Sequence, residues 1–141
     1  MKSLQALIQD LQSPDASVRD KAAIVLMDIG DEEAVRPLLD AIAKPENANH
    51  TGTLVYALSA FDCVEHLEVL VDLCLKGNYE VSSGAFHIIE AVELTQDVIR
   101  RIDAQLRKSD RRQLSHESNM AFQALVGFTS GHKHAERIDE A

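Results

Sequence analysis

The chain has no tryptophan, and only 4% of its 141 residues are aromatic. A core without large rings must be filled by Leu, Ile, Val and Ala, which suits helix packed on helix. Cysteine is nearly absent as well: Cys63 and Cys74 stand eleven positions apart in what reads as one helix. At 1.5 Å per residue they are roughly 16 Å apart, too far to bridge. Two unpaired thiols with no secretory leader before them lead us to expect a reducing, cytoplasmic setting. Long apolar runs are missing too, since the N-terminal stretch with Leu4, Leu7, Ile8 and Leu11 is broken by Gln5, Gln9 and Asp10. It is neither a leader's apolar region nor a membrane span.

Basic charge is short. Fourteen Lys and Arg face 23 Asp and Glu, for a net charge of -9. That balance repels phosphate backbones and acidic lipid, and so speaks against nucleic acid and membrane as partners. It serves solubility, or fast association with a basic protein. Catalytic signatures are also lacking: there is no Gly-rich phosphate loop, no nucleophile elbow, and no Cys-His or Ser-His-Asp arrangement in local context. The six histidines, His50, His66, His87, His116, His132 and His134, include no His-x-x-x-His pair, and only His132 and His134 are close. A metal site needs converging ligands, so no metal and no cofactor are expected, and no enzyme activity.

What the chain does have is a repeat. Asp15 to Gly30, DASVRDKAAIVLMDIG, reads as an amphipathic helix. Asp15 is its N-cap, Val18, Ala22, Val25, Leu26 and Ile29 form its apolar stripe, and Gly30 supplies the positive φ that ends it. A first helix over 3–12 precedes it, closed by Ser13-Pro14. The plan then recurs, with Val35, Leu38, Leu39 and Ile42 lying 31 positions after Leu4, Leu7, Ile8 and Leu11. Helices are predicted over 31–43, 47–61, 62–76, 79–92 and 95–108, and a last one carries Met120, Phe122, Leu125 and Phe128. The spacing therefore predicts an all-α fold, an α-solenoid of about four antiparallel helical hairpins over residues 1–128. Residues 129–141, without periodicity, read as a mobile tail or frayed last turn.

The run Asp15, Val18-Arg19, Ala22-Ala23, Leu26, Ile29-Gly30 resembles the second helix of a HEAT repeat, particularly the short HEAT-like repeats first associated with phycobilin lyases. Later units keep the apolar spacing without the Val-Arg pair, having Asn49-His50 and Glu80-Val81 there. The resemblance implies that second helices line the ligand-facing side. Projecting the 31-residue offset places Asp28, Ser59 and Glu90 in one row, with Tyr56, His87 and Gln123 in a neighbouring one. These six are the expected partner-binding residues, with Tyr56 as anchor because a tyrosine brings large contact area with few rotors. They also fit simple solvated helix faces.

Two further patterns bear on function. Asp31, Asp62 and Glu93 recur every 31 positions; they could hold a metal or a basic partner, but helix capping accounts for the first two. Residues 1–99 hold 17 acids and 6 bases, net -11, whereas 100–141 hold 6 acids and 8 bases, net +2. The basic segment Arg100 to Arg112 has no interleaved aromatics for stacking on bases. It reads as helix-end compensation, a solvated loop, or a contact to an anion or partner. Together these features predict a non-enzymatic protein-binding module; the resemblance to HEAT-like chains, taken with the net charge, implies its sharpest form, an immunity protein neutralising a basic, nuclease-type toxin of a bacterial competition system. The alternatives are an accessory factor or lyase-type protein for prosthetic-group attachment, and a plain scaffold adaptor.

Overall fold

The computed structural model describes residues 2–140, with side chains for residues 2–130. Among them are eight α-helices and no strand: α1 (Leu4–Asp10), α2 (Ala16–Ile29), α3 (Val35–Ala43), α4 (Gly52–Leu58), α5 (Leu67–Lys76), α6 (Tyr79–Glu90), α7 (Gln96–Arg107) and α8 (His116–Glu140). The expected all-α class is what the chain adopts. The helices group into two compact units, Met1–Cys63 and Val64–Ala141.

In the first unit the helix ends are written in single residues. The Ser3 Oγ accepts from the Ala6 N–H, and the Asp15 carboxylate accepts from the Ser17 N–H at 2.9 Å. Gly30, at φ 73°, closes α2 by donating its N–H to the Leu26 carbonyl; a side chain there would meet the left-handed penalty. Helix α2 packs on α1 and α4, and α4 packs on α3. On the other layer, the Gln5 amide reaches Glu33, and a cavity of about 260 Å³ separates Ile8 and Leu11 from Pro37 and Ala41. The unit is thus two layers, α1 with α3 and α2 with α4, around Leu26, Leu38, Leu54 and Leu58, which are fully buried.

Several expectations are corrected here. The predicted stripe of α2 included Val25 and Ile29, but these are 41% and 50% exposed, and the buried face is Arg19, Ala22, Ala23 and Leu26. Small alanines let α2 approach its neighbours closely, which turns the larger aliphatics outward. Helix α4 begins at Gly52 rather than near Asn47. Asn47 is instead buried, donating from Nδ2 to the Ala41 carbonyl at 2.8 Å, and Asn49 sits at φ 70°, so the chain turns before it can coil. Residues 32–34 and 64–66 are 3-10 turns, not the first turns of α-helices. Cys63 therefore lies ahead of α5, outside any helix, and the single-helix spacing of the two cysteines does not apply. Both thiols are free and buried.

The second unit has α5 packed against α6, α7 and α8, with α8 also touching α6 and α7. Asn78, Thr95 and Ser115 accept from the N–H groups of Val81, Val98 and Ser118, each answering one of the orphan donors of a helix start. Helices α5 and α7 are tied across by two residue pairs at the same 33-residue offset. Arg101 grips Glu68 through Nε and Nη2 at 2.8 and 2.9 Å, and Gln105 donates to Asp72 at 2.9 Å. Leu67, Leu70, Ile89, Ile99, Ile102 and Leu125 fill the core. Thr129, within α8, is buried, with its Oγ1 3.3 Å from an Asp103 carboxylate oxygen. The side chains of 131–141, including His132 and His134, lie outside the described residues.

Candidate functional site

Each predicted contact residue can be placed by asking which face its helix buries. On α4, Leu54, Val55, Ala57 and Leu58 are buried. At 100° per residue Tyr56 stands on the opposite side, and it is 58% exposed. Ser59 caps the same helix, exposed, with its hydroxyl donating to the Tyr56 carbonyl at 2.6 Å. That bond fixes the serine and leaves lone pairs, rather than its proton, for a partner. On α2, Asp28 is exposed on the side away from Ala22, Ala23 and Leu26. The buried stripes of both helices face the α1 and α3 layer, so Asp28 and Tyr56 belong to the outer surface of the α2 and α4 layer.

That surface holds side chains the spacing did not assign to it. Ile24, Val25 and Ile29 of α2 are all exposed, beside Asp28 on the same helix. The signal that finds them is a second periodic stripe, 19-22-23-26, which competes with 18-22-25-29. Hydrophobicity favours the second and close packing the first. The consequence is aliphatic surface interleaved with a carboxylate, and a tyrosine on the next helix, an arrangement suited to gripping another protein.

In the second unit His87 and Glu90 of α6 and Gln123 of α8 are all exposed. The His87 Nδ1 lies 3.6 Å from the Glu90 Oε1, an i,i+3 pair that carries charge on both partners only when the imidazole is protonated. On the same two helices Phe86 meets Phe128 edge to face, with centroids 6.4 Å apart. All six predicted residues are thus solvent-facing, three in each unit, and none is consumed by a core.

The other sequence patterns resolve into local structure. The Asp31 carboxylate accepts from the Glu33 N–H at 2.9 Å, which is a cap. Much of the basic segment has internal partners: Arg100 with Asp97, Arg101 with Glu68, Arg112 with Asp110, and Arg111 over the Phe122 ring at 4.6 Å. The bidentate Arg101 contact holds the Glu68 carboxyl down at about 2, well below its ordinary 4.5. Burial pushes the Cys74 thiol up to about 12 and, with help from the Asp62 and Glu32 carboxylates, the Cys63 thiol to about 11. Neither is a ready nucleophile at neutral pH. Among the described residues no group of three His, Cys, Asp or Glu converges on a metal position, and no helix is long and apolar enough to cross a membrane.

Comparison with known proteins finds one family. Residues 4–88 match the model described as HEAT repeats, which is more than half of the chain. No curated protein matches it.

Proposed function

We propose that this chain, which belongs to the HEAT-repeat family, holds a basic protein partner against the outward faces of its second-layer helices. HEAT repeats are protein-interaction scaffolds, generally without catalytic activity. The observation that carries the finer reading is the exposure of Tyr56, Val25 and Ile29 around Asp28 in a stretch of chain with 17 acids against 6 bases over residues 1–99. Apolar area at the centre supplies affinity, and the acidic field steers a partner of opposite charge. His87, Glu90 and Gln123 offer a second set of polar contacts of the same kind.

A partner that is strongly basic over an accessible surface is, in chemical terms, a protein built to grip nucleic acid. The immunity reading follows: the chain masks the phosphate-binding face of a nuclease-type toxin. To test it, the chain is immobilised and exposed to native lysate at low salt, then eluted in steps of rising salt. The expected result is a stoichiometric basic protein, toxic when expressed alone and harmless when co-expressed with this chain. Recovery of nothing salt-sensitive would refute the reading, as would a captured protein that is harmless alone.

A further inference from the structure

The second unit contains a cleft of about 240 Å³ where α6 and α8 meet the end of α5. Its wall is mainly apolar, formed by Phe86, Ala121, the buried Cys74 and the backbone at Gly77. At its edge stand Tyr79, 84% exposed, and Met120, also exposed. An apolar cavity of roughly 150 Å³ is enough to hold benzene, so this one has room for a larger ring. Methionine and an unpacked tyrosine at the mouth can close on such a ring, since a thioether adapts to aromatic edges.

The polar atoms of the cleft restrict the chemistry further. The Ser82 hydroxyl donates to the Cys74 carbonyl at 2.6 Å, and the Ser118 hydroxyl donates to the Leu75 carbonyl. Both protons are committed to α5, and the Ser118 oxygen already accepts from the Ser115 hydroxyl at 3.0 Å, so the Ser82 oxygen is the one that offers lone pairs to the cleft. Glu117 lines it as an acceptor, and Glu80, also exposed, follows Tyr79 in the first turn of α6. Two carboxylates outweigh the partial positive charge of about half a unit at each helix start. The cleft therefore favours an aromatic ring bearing an N–H donor, with positive charge beside it.

We infer that this cleft receives a tryptophan side chain of the partner, flanked by Lys or Arg that meet Glu117. This rests on the reading of a basic protein partner and adds the anchor residue that the partner must present. Its indole fills the apolar volume, its N–H faces the Ser82 oxygen, and its basic neighbours remain at the mouth.

The test uses the full chain, 15N-labelled, titrated with the capped peptides Lys-Trp-Lys and Lys-Ala-Lys and with free indole. The tryptophan peptide should perturb amides around Ser82 and Ala121 and bind at least tenfold more tightly than the alanine peptide. Ala121→Phe fills the cleft and should remove that difference; if it fails to fold, Ser83→Leu at the cleft edge serves the same purpose. Glu117→Gln should weaken the peptide while leaving indole unaffected. Equal binding of the two peptides, perturbations elsewhere, or no binding at all would overturn the inference, and indole binding as tightly as the peptide would rule out a charged partner segment as occupant. Replacing Asp28 and Glu90 by Lys tests the proposed partner surface and should leave the peptide affinity unchanged, so the two ideas fail separately.

Discussion

Arg19 shows how much one residue can decide. It is 2% exposed, donates from Nη1 to the Ser13 carbonyl at 2.9 Å, and leaves Nε without a partner among the described residues. A buried guanidinium on α2 claims a face with Ala22, Ala23 and Leu26, and so sets the rotation that exposes Val25 and Ile29. Glu68 makes a lesser contribution that pH can read. Its carboxyl is held at about 2 in the folded chain against an ordinary 4.5, so folding favours the ionised form. The stabilisation is complete above pH 4.5 and is lost as pH falls towards 2. Because Glu68 is more than a third exposed, Glu68→Gln should cost about 1 kcal/mol or less at pH 7. Urea unfolding of variant and parent should differ at pH 7 and converge by about pH 2; a gap that widens on acidification would contradict the Arg101 pairing.

At the scale of the element, the turn between α5 and α6 is only two residues long, Gly77 and Asn78. A Cβ on Gly77 would sit 2.5 Å from the Val81 Cγ1 and 2.7 Å from the Leu73 carbonyl oxygen. The backbone oxygen cannot yield as a flexible side chain would, so Gly77→Ala should destabilise by about 1–3 kcal/mol. Thermal melting checks this, and an unchanged melting temperature would mean that the hairpin relaxes freely. The cap at Asp15, the stop at Gly30 and the stripe of α3 are legible because each depends on neighbours within one or two turns. What was not legible depended on volume and on the third dimension. The stripe of α2 has two periodic solutions, and the packing of Arg19 with the small alanines chooses between them. The Asn47 and Asn49 turn delayed α4 through a buried amide bond to Ala41 and a left-handed backbone. The contact of Thr129 with Asp103 spans 26 positions, beyond any local pattern. Asp28, Tyr56, Ser59, His87, Glu90 and Gln123 are exposed for the same local reason, since each stands away from its helix's buried stripe.

For the molecule as a whole, charge and exposed apolar surface should divide the work of binding. Acidic residues speed encounter without adding much affinity, whereas the aliphatic and aromatic side chains slow dissociation. In the basic segment Arg101 is held by Glu68, whereas the pairs of Arg100 and Arg112 lie at the surface. The most direct measurement is stopped-flow association of the captured basic protein with the parent chain and with the double variant Asp28→Lys, Glu90→Lys, over a series of salt concentrations. The parent should associate about tenfold more slowly at high salt than at low, and the variant should be slow throughout with a flattened salt dependence. Identical rates for parent and variant, with the fold intact by circular dichroism, would show that these helix faces do not meet the partner.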